Sequence, residues 1–205
     1  LPPPVPMVPA VATCVRPGRS EGVPRTAEDS PAVQIARRLF LKDMRGAGVE
    51  PSPYYMLLQG EGDWMGRAID ALEPPTQHQA FSRQLSRFST LVEQVVNRFG
   101  GALVYAGGDD VLAFLPLDAG LACAYTLAEI FRTLLADFAN PAQGVKAPTF
   151  SAGLVIAHHL EALSQTLQLA RNAEHAAKHI PDKDALAITP SKRSGPARTR
   201  SLLHT

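Results

Sequence analysis

Residues 103–116 read LVYAGGDDVLAFLP, two apolar runs separated by two glycines and two aspartates. A four-residue connection with paired glycines suits a tight β-hairpin, because glycine tolerates the positive φ that such turns demand. A turn, however, needs only one acid or asparagine. Asp109 and Asp110 side by side at the start of an apolar strand hold two repelling carboxylates at a sheet edge, an arrangement that a bound divalent cation neutralises. GGDD therefore reads in two ways, as a plain turn and as a metal-bearing tip.

Outward from the hairpin the periodicity is regular. It predicts strands over Ala102–Ala106 and Val111–Leu115, on either side of GGDD. Upstream, Tyr54–Leu58 is a compact apolar run fit for a central strand, broken by the glycines of GEGDWMG. Between these, Phe81, Leu85, Phe88, Leu91, Val92, Val95, Val96 and Phe99 form a helical stripe over 76–99 that ends at Gly100-Gly101. Downstream, Asp118 is placed to cap a helix running through Leu121, Tyr125, Leu127, Ile130, Phe131 and Leu134. Thr149–Ala157 then reads as a strand, 161–179 as a helix and Ala185–Thr189 as a last strand. This order predicts an α+β fold of ferredoxin-like type, a mixed, mainly antiparallel sheet with helices on one face. The palm of polymerases and nucleotide cyclases is the catalytic form of that fold.

Composition narrows the setting. The chain has 205 residues, a net charge of +1 and 19% charged residues, so no global field announces nucleic acid or membrane. Half of the 18 prolines fall in the first 51 residues. We therefore expect a proline-rich, largely disordered leader over 1–50 with one short helix begun at Ser30-Pro31, a palm over 51–190, and a basic tail over 191–205. Cys14 and Cys123 lie in no CxxC or Cys/His cluster, so neither a disulfide framework nor a zinc site is indicated, and a reducing, cytoplasmic setting fits. No apolar run approaches the roughly 20 residues that span a bilayer.

A second pair of acids, Glu61 and Asp63, falls just past the predicted first strand. In a ferredoxin-like sheet that strand lies beside the central hairpin, so the spacing predicts convergence of Glu61 and Asp63 on Asp109 and Asp110. Oxygen-only ligands of this kind suit magnesium or manganese, which take phosphate oxygens as further ligands. Two such ions can activate an attacking hydroxyl and stabilise leaving pyrophosphate.

In register across residues 50–195, YYMLLQGEGDWMG, GGALVYAGGDDVLAFLPLD, SAGLVIAHHLEALSQTLQLARNAEHAAK and DKDALAITPSKRSG closely resemble the second palm domain of the large, polymerase-like subunit of type III-B CRISPR effector complexes. The resemblance implies a palm that joins ATP into cyclic oligoadenylates in antiviral defence, working with other complex subunits and CRISPR RNA. It makes Asp109 and Asp110 the catalytic, metal-binding acids, with Glu61 and Asp63 completing the site. Gly62, Gly107 and Gly108 then let the nucleotide approach. The family reads Asp-Gly-Asp where this chain has Glu61-Gly62-Asp63, and one extra methylene shifts a carboxylate in a reaction that depends on position. NAEHAAKHIPDKDALAI is also similar to the late helix and strand of GGDEF diguanylate cyclases, where Lys178 occupies the place of a phosphate-binding lysine. Paired palms hold ATP between them in the family, so a stand-alone copy is expected to work as a homodimer.

Other residues carry less. His158-His159 close a strand and lack the aspartate partner of a nuclease motif, and the serines have no elbow-like context. Trp64, the sole tryptophan, sits beside the acids and is suited either to stacking on adenine or to packing. The competing functions are a non-catalytic palm that serves as scaffold in a ribonucleoprotein complex, and a cyclase acting on another nucleotide.

Overall fold

The computed structural model describes residues 52–191 and 199–203, all within the unit Ser52–Thr205. The expected leader, its short helix and Cys14 lie outside the described residues. Strand β1 spans Tyr54–Asp63, helix α1 Met65–Asp70, α2 Pro75–Arg98, β2 Ala102–Gly107, β3 Asp110–Pro116, α3 Gly120–Leu135, β4 Thr149–His158, α4 Leu163–Lys178, β5 Ala185–Pro190 and β6 Arg200–Leu203. The sheet order is β2-β3-β1-β4-β5-β6. Only β4 and β5 pair in parallel; the other neighbours are antiparallel. The first four strands with α2 and α3 give the predicted ferredoxin-like core, and β5 and β6 extend it. Among the described residues no helix is long and apolar enough to cross a membrane.

The helices do not share one face, which corrects the expected layering. Met56 and Leu58 join the main core with Phe88, Val92, Leu127, Phe131 and Phe150. Leu57, between them, packs instead with Val155, Ala157 and Ala170 of α4. Successive strand residues point to opposite faces, so α2 and α3 cover one side and α4 the other. The consecutive apolar residues of MLL in β1 and LVI in β4 are what a strand buried on both faces requires.

Strand β1 also runs further than the sequence suggests. It pairs with β4 from Tyr54↔His158 to Asp63↔Thr149, so GEGD lies in the ladder rather than in a loop. Its glycines answer to neighbours: a Cβ on Gly60 would lie 2.3 Å from the Phe150 ring. That ring belongs to a buried trio, Phe88 meeting Phe131 at 4.8 Å and Phe131 meeting Phe150 at 5.5 Å between centroids, arrangements that add to plain burial. Two further expectations give way. The residue flanking α3 at its start is Ala119, with no side-chain cap bond, so Asp118 does not cap it. Within the expected basic tail, Arg200–Leu203 adds β6 to the edge of β5.

Candidate functional site

Pairing of β2 with β3 ends at Gly107↔Asp110, which leaves Gly108 and Asp109 as a two-residue loop. Gly108 has φ 63° with open space around it, and of the two loop residues only this one has a positive φ. Positive φ at the first loop position alone is the pattern of a II′ turn. Ser89 Oγ on α2 reaches the tip, its one hydroxyl proton shared between the Leu85 carbonyl at 3.2 Å and the Gly108 carbonyl at 3.3 Å. Gly107 has a different reason to lack a side chain. A Cβ there would lie 2.2 Å from the Tyr105 hydroxyl, so the phenol folds back along its own strand towards the tip.

The two aspartates then diverge. Asp109 lies against Gly62 of β1, whose added Cβ would meet Asp109 Cβ and Oδ2 at 2.9 Å and Phe131 Cζ at 2.8 Å. It therefore sits on the α2–α3 side. Burial holds its carboxyl above the ordinary value against its own backbone hydrogen bond, and the charges of Asp110 and Glu61 add to the shift. Asp110 borders a cavity with Arg171 and Leu167 of α4, on the other side. Partial burial raises its carboxyl as well, with Glu61 pushing the same way and Lys178 opposing.

Lys178, at the end of α4, reaches this second group. Its Nζ is 2.7 Å from Glu61 Oε1, donates to the Gly62 carbonyl at 3.4 Å and lies 3.5 Å from Glu174 Oε1. Glu174 is buried, and burial is the main cause of its raised carboxyl pKa, opposed by Lys178. The structure thus brings Glu61, Gly62, Asp109, Asp110 and Lys178 to one end of the β1–β3 ladder.

Asp63 belongs to a different arrangement. It is fully buried, and its Oδ2 accepts from Ser151 Oγ at 2.7 Å, Thr149 Oγ1 at 3.1 Å and the Asp184 amide at 3.2 Å. Its Oδ1 has no hydrogen-bond partner, with Lys183 Nζ 4.0 Å away. Asp182, Lys183 and Asp184 all have positive φ. Three such non-glycine residues in a row are strained backbone, and Asp63 is one of the contacts that holds them. Trp64 shares the strain at φ 62°. Lys183 Nζ lies 4.6 Å and Arg67 Cζ 5.3 Å from its ring, so the indole serves as a cation platform. Thr149, Ser151 and Lys183 are site residues that the sequence reading missed. The signal available for two of them was a pair of hydroxyls at alternate positions, on one face of an otherwise apolar strand.

The expected convergence of Glu61 and Asp63 on Asp109 and Asp110 is not assembled, because Asp63 is turned into the interior. Among the described residues no group of three or more His, Cys, Asp and Glu side chains is disposed to hold a metal, and His158-His159 stack on each other at 4.5 Å. The hard oxygens of Asp109, Glu61 and Asp110 fit a different binding mode. Magnesium is held by one or two carboxylates together with substrate phosphates, not by an all-protein cage.

Residues 54–187 match the family model described as Cas10/Cmr2, second palm domain. The chain is 35% identical to the CRISPR system Cmr subunit Cmr2 of Pyrococcus furiosus, over 71% of this chain and 19% of that protein's length. Among solved structures it is similar to a Csm1–Csm4 cassette in complex with cA4, at 16% identity, covering 65% of this chain and 20% of that one, with a TM-score of 0.53. It is similar too to a bacterial light-regulated adenylyl cyclase, at 13% identity, 80% and 57% coverage, and a TM-score of 0.50. At identities this low the two structural likenesses are of fold.

Proposed function

The chain belongs to the Cas10/Cmr2 second-palm family, and on that premise we propose that it is a nucleotidyl-transferring palm that joins ATP into cyclic oligoadenylates within a type III CRISPR effector. The observation that carries the reading is the meeting of Asp109 with Gly62, flanked by Glu61 and its 2.7 Å partner Lys178. This sets oxygen donors and a cation where two strands end together. The chain spans 19% of its curated relative, so the action of the whole protein, its partner subunits and its CRISPR RNA are part of the proposal.

In this reading Asp109, with at most one further carboxylate from Glu61 or Asp110, would hold magnesium or manganese together with substrate phosphates. The chemistry such an ion supplies when bound is activation of the attacking hydroxyl and neutralisation of charge on leaving pyrophosphate. The chain's own groups do the rest. Gly108 offers bare backbone to the triphosphate, and Lys178 exchanges part of its contact with Glu61 for phosphate oxygens. Asp63 is a positioning residue that fixes the end of β1 through Thr149, Ser151 and the Asp184 amide. ATP between paired palms requires a second palm, so activity of this chain alone requires a homodimer; an active, strictly monomeric preparation contradicts that part.

One observation favours the alternative of a non-catalytic palm. Asp63 is withdrawn into the interior, and among the described residues the remaining acids form no three-ligand group. Incubation with labelled ATP and magnesium or manganese, beside an Asp109→Ala, Asp110→Ala double variant, separates the two. Cyclic adenylates and pyrophosphate from the wild type alone support the enzyme; no product from folded wild type in the assembled effector supports the scaffold.

A further inference from the structure

On the α4 side of the sheet, a cavity of about 230 Å³ is lined by Gln59, Tyr105, Asp110, Leu112, Leu167 and Arg171. Its floor is one cross-strand row. Tyr105 stands opposite Leu112, Leu112 opposite Gln59, and Gln59 opposite Gly153. A register shift puts the phenol there: Leu103 pairs with Ala113 and Tyr105 with Leu112, so Val104 is the extra residue. Without that bulge Val104 would face Leu112, and Tyr105 would turn to the opposite side. At the far end of the row, a Cβ on Gly153 would lie 2.4 Å from the Glu174 amide nitrogen and 2.7 Å from the Ala170 carbonyl oxygen. Helix α4 is thus drawn tightly over β4, and the space above β1 and β3 stays open.

The polar groups around that space are uncommitted. Among the described residues, the Gln59 amide and the exposed Arg171 guanidinium take part in no hydrogen bond or ion pair. Lys178, two turns further along the same helix, is engaged with Glu61 and Glu174. Tyr105 is 54% exposed, so its ring is free to make a contact. An aromatic ring, an amide that both donates and accepts, an apolar floor and an unpaired guanidinium match the parts of a nucleotide: base face, base edge, sugar and phosphate.

We propose that this cavity is a nucleotide subsite, in which Tyr105 stacks on the base, Gln59 hydrogen-bonds its edge and Arg171 holds a phosphate. Taking ATP as the occupant rests on the nucleotidyl-transfer reading above. Asp110 forms one wall, so the nucleotide lies on the side of the hairpin away from Asp109, and the tip stands between two sites.

The test is titration of the full chain with a fluorescent methylanthraniloyl-ATP, for the wild type and Tyr105→Ala, Tyr105→Phe and Arg171→Ala, with melting curves to establish folding. Arg83→Ala, exposed on α2 across the sheet, is the control. Loss of a stacking ring or of a charged phosphate contact raises Kd about tenfold. We expect that for Tyr105→Ala and Arg171→Ala, with Tyr105→Phe and Arg83→Ala unchanged. Plain adenosine should bind equally to wild type and Arg171→Ala. Unaltered affinity in both deleting variants overturns the subsite, as does a wild type that binds no nucleotide. ATP turnover measured alongside keeps the two claims apart. Turnover with variant-insensitive binding removes the subsite and leaves the transfer reading; variant-sensitive binding without turnover does the reverse.

Discussion

Gly62→Ala probes the junction on which the site depends. The new methyl would lie 2.8 Å from Phe131 Cζ and 2.9 Å from Asp109 Cβ and Oδ2, where ordinary contact begins at 3.4 Å. Roughly half an ångström must be found on two sides. Phe131 is fully buried and packed edge-to-face on Phe88 at 4.8 Å, so it has little room to yield. Asp109, at the hairpin tip, moves instead. A misplacement of about 1 Å can reduce rate about a hundredfold, so a shift of about half that predicts roughly a tenfold loss. The overpacking costs about 1–3 kcal/mol, a fall in Tm of roughly 2–10 °C for a domain of this size. Gly66→Ala is the matched control, because a Cβ there meets nothing within 4 Å inside helix α1. It should raise stability by about 0.5–1 kcal/mol and leave rate unchanged. The assays are thermal melting and initial pyrophosphate release from ATP with magnesium, and melting reads the packing whatever the turnover. A Gly62→Ala protein that melts like the wild type refutes the packing argument. One that melts lower yet keeps its full rate refutes the link from Gly62 through Asp109 to chemistry.

Three other outcomes are expected. Phe88→Ala removes the hub of the aromatic trio and should destabilise by about 3–5 kcal/mol in denaturant unfolding; a change under about 1 kcal/mol would show that the trio is not the centre of the core. Glu174 has a folded pKa raised above its unfolded value, so stability should fall as pH rises from the ordinary glutamate range through the folded value. Glu174→Gln should therefore gain on the wild type with rising pH in melts between about pH 4 and pH 8; a variant that loses ground would mean that the ion pair with Lys178 outweighs burial. Burial pushes the Cys123 thiol up to about 11. In a Cys14→Ser background it should resist a maleimide until denaturant is added, and rapid labelling of native protein would contradict its place in the core.

The central hairpin and the ferredoxin-like strand order were legible because apolar runs, GGDD and the helical stripes all act locally. What escaped the sequence depends on contacts between distant segments. Gly60 and Gly62 read as strand breakers, but they lie inside β1 because the Phe150 ring, Asp109 and Phe131 leave no room for a Cβ. Asp63 reads as a metal ligand until β4 brings Thr149 and Ser151, and the α4–β5 turn brings the Asp184 amide, to its carboxylate. The bulge that aims Tyr105 has no local signature, and the charges of KRSGPARTR hide strand β6. The burial of both sheet faces was written in the unbroken apolar runs of β1 and β4, which alternation-based reasoning passes over.

The most direct test of the central claim is anomalous scattering from crystals grown with manganese and a non-hydrolysable ATP analogue. The account predicts a manganese peak about 2.1 Å from an Asp109 carboxylate oxygen, with phosphate oxygens completing its shell. Nucleotide bound with no ion at the hairpin, or an ion held without Asp109, would contradict it.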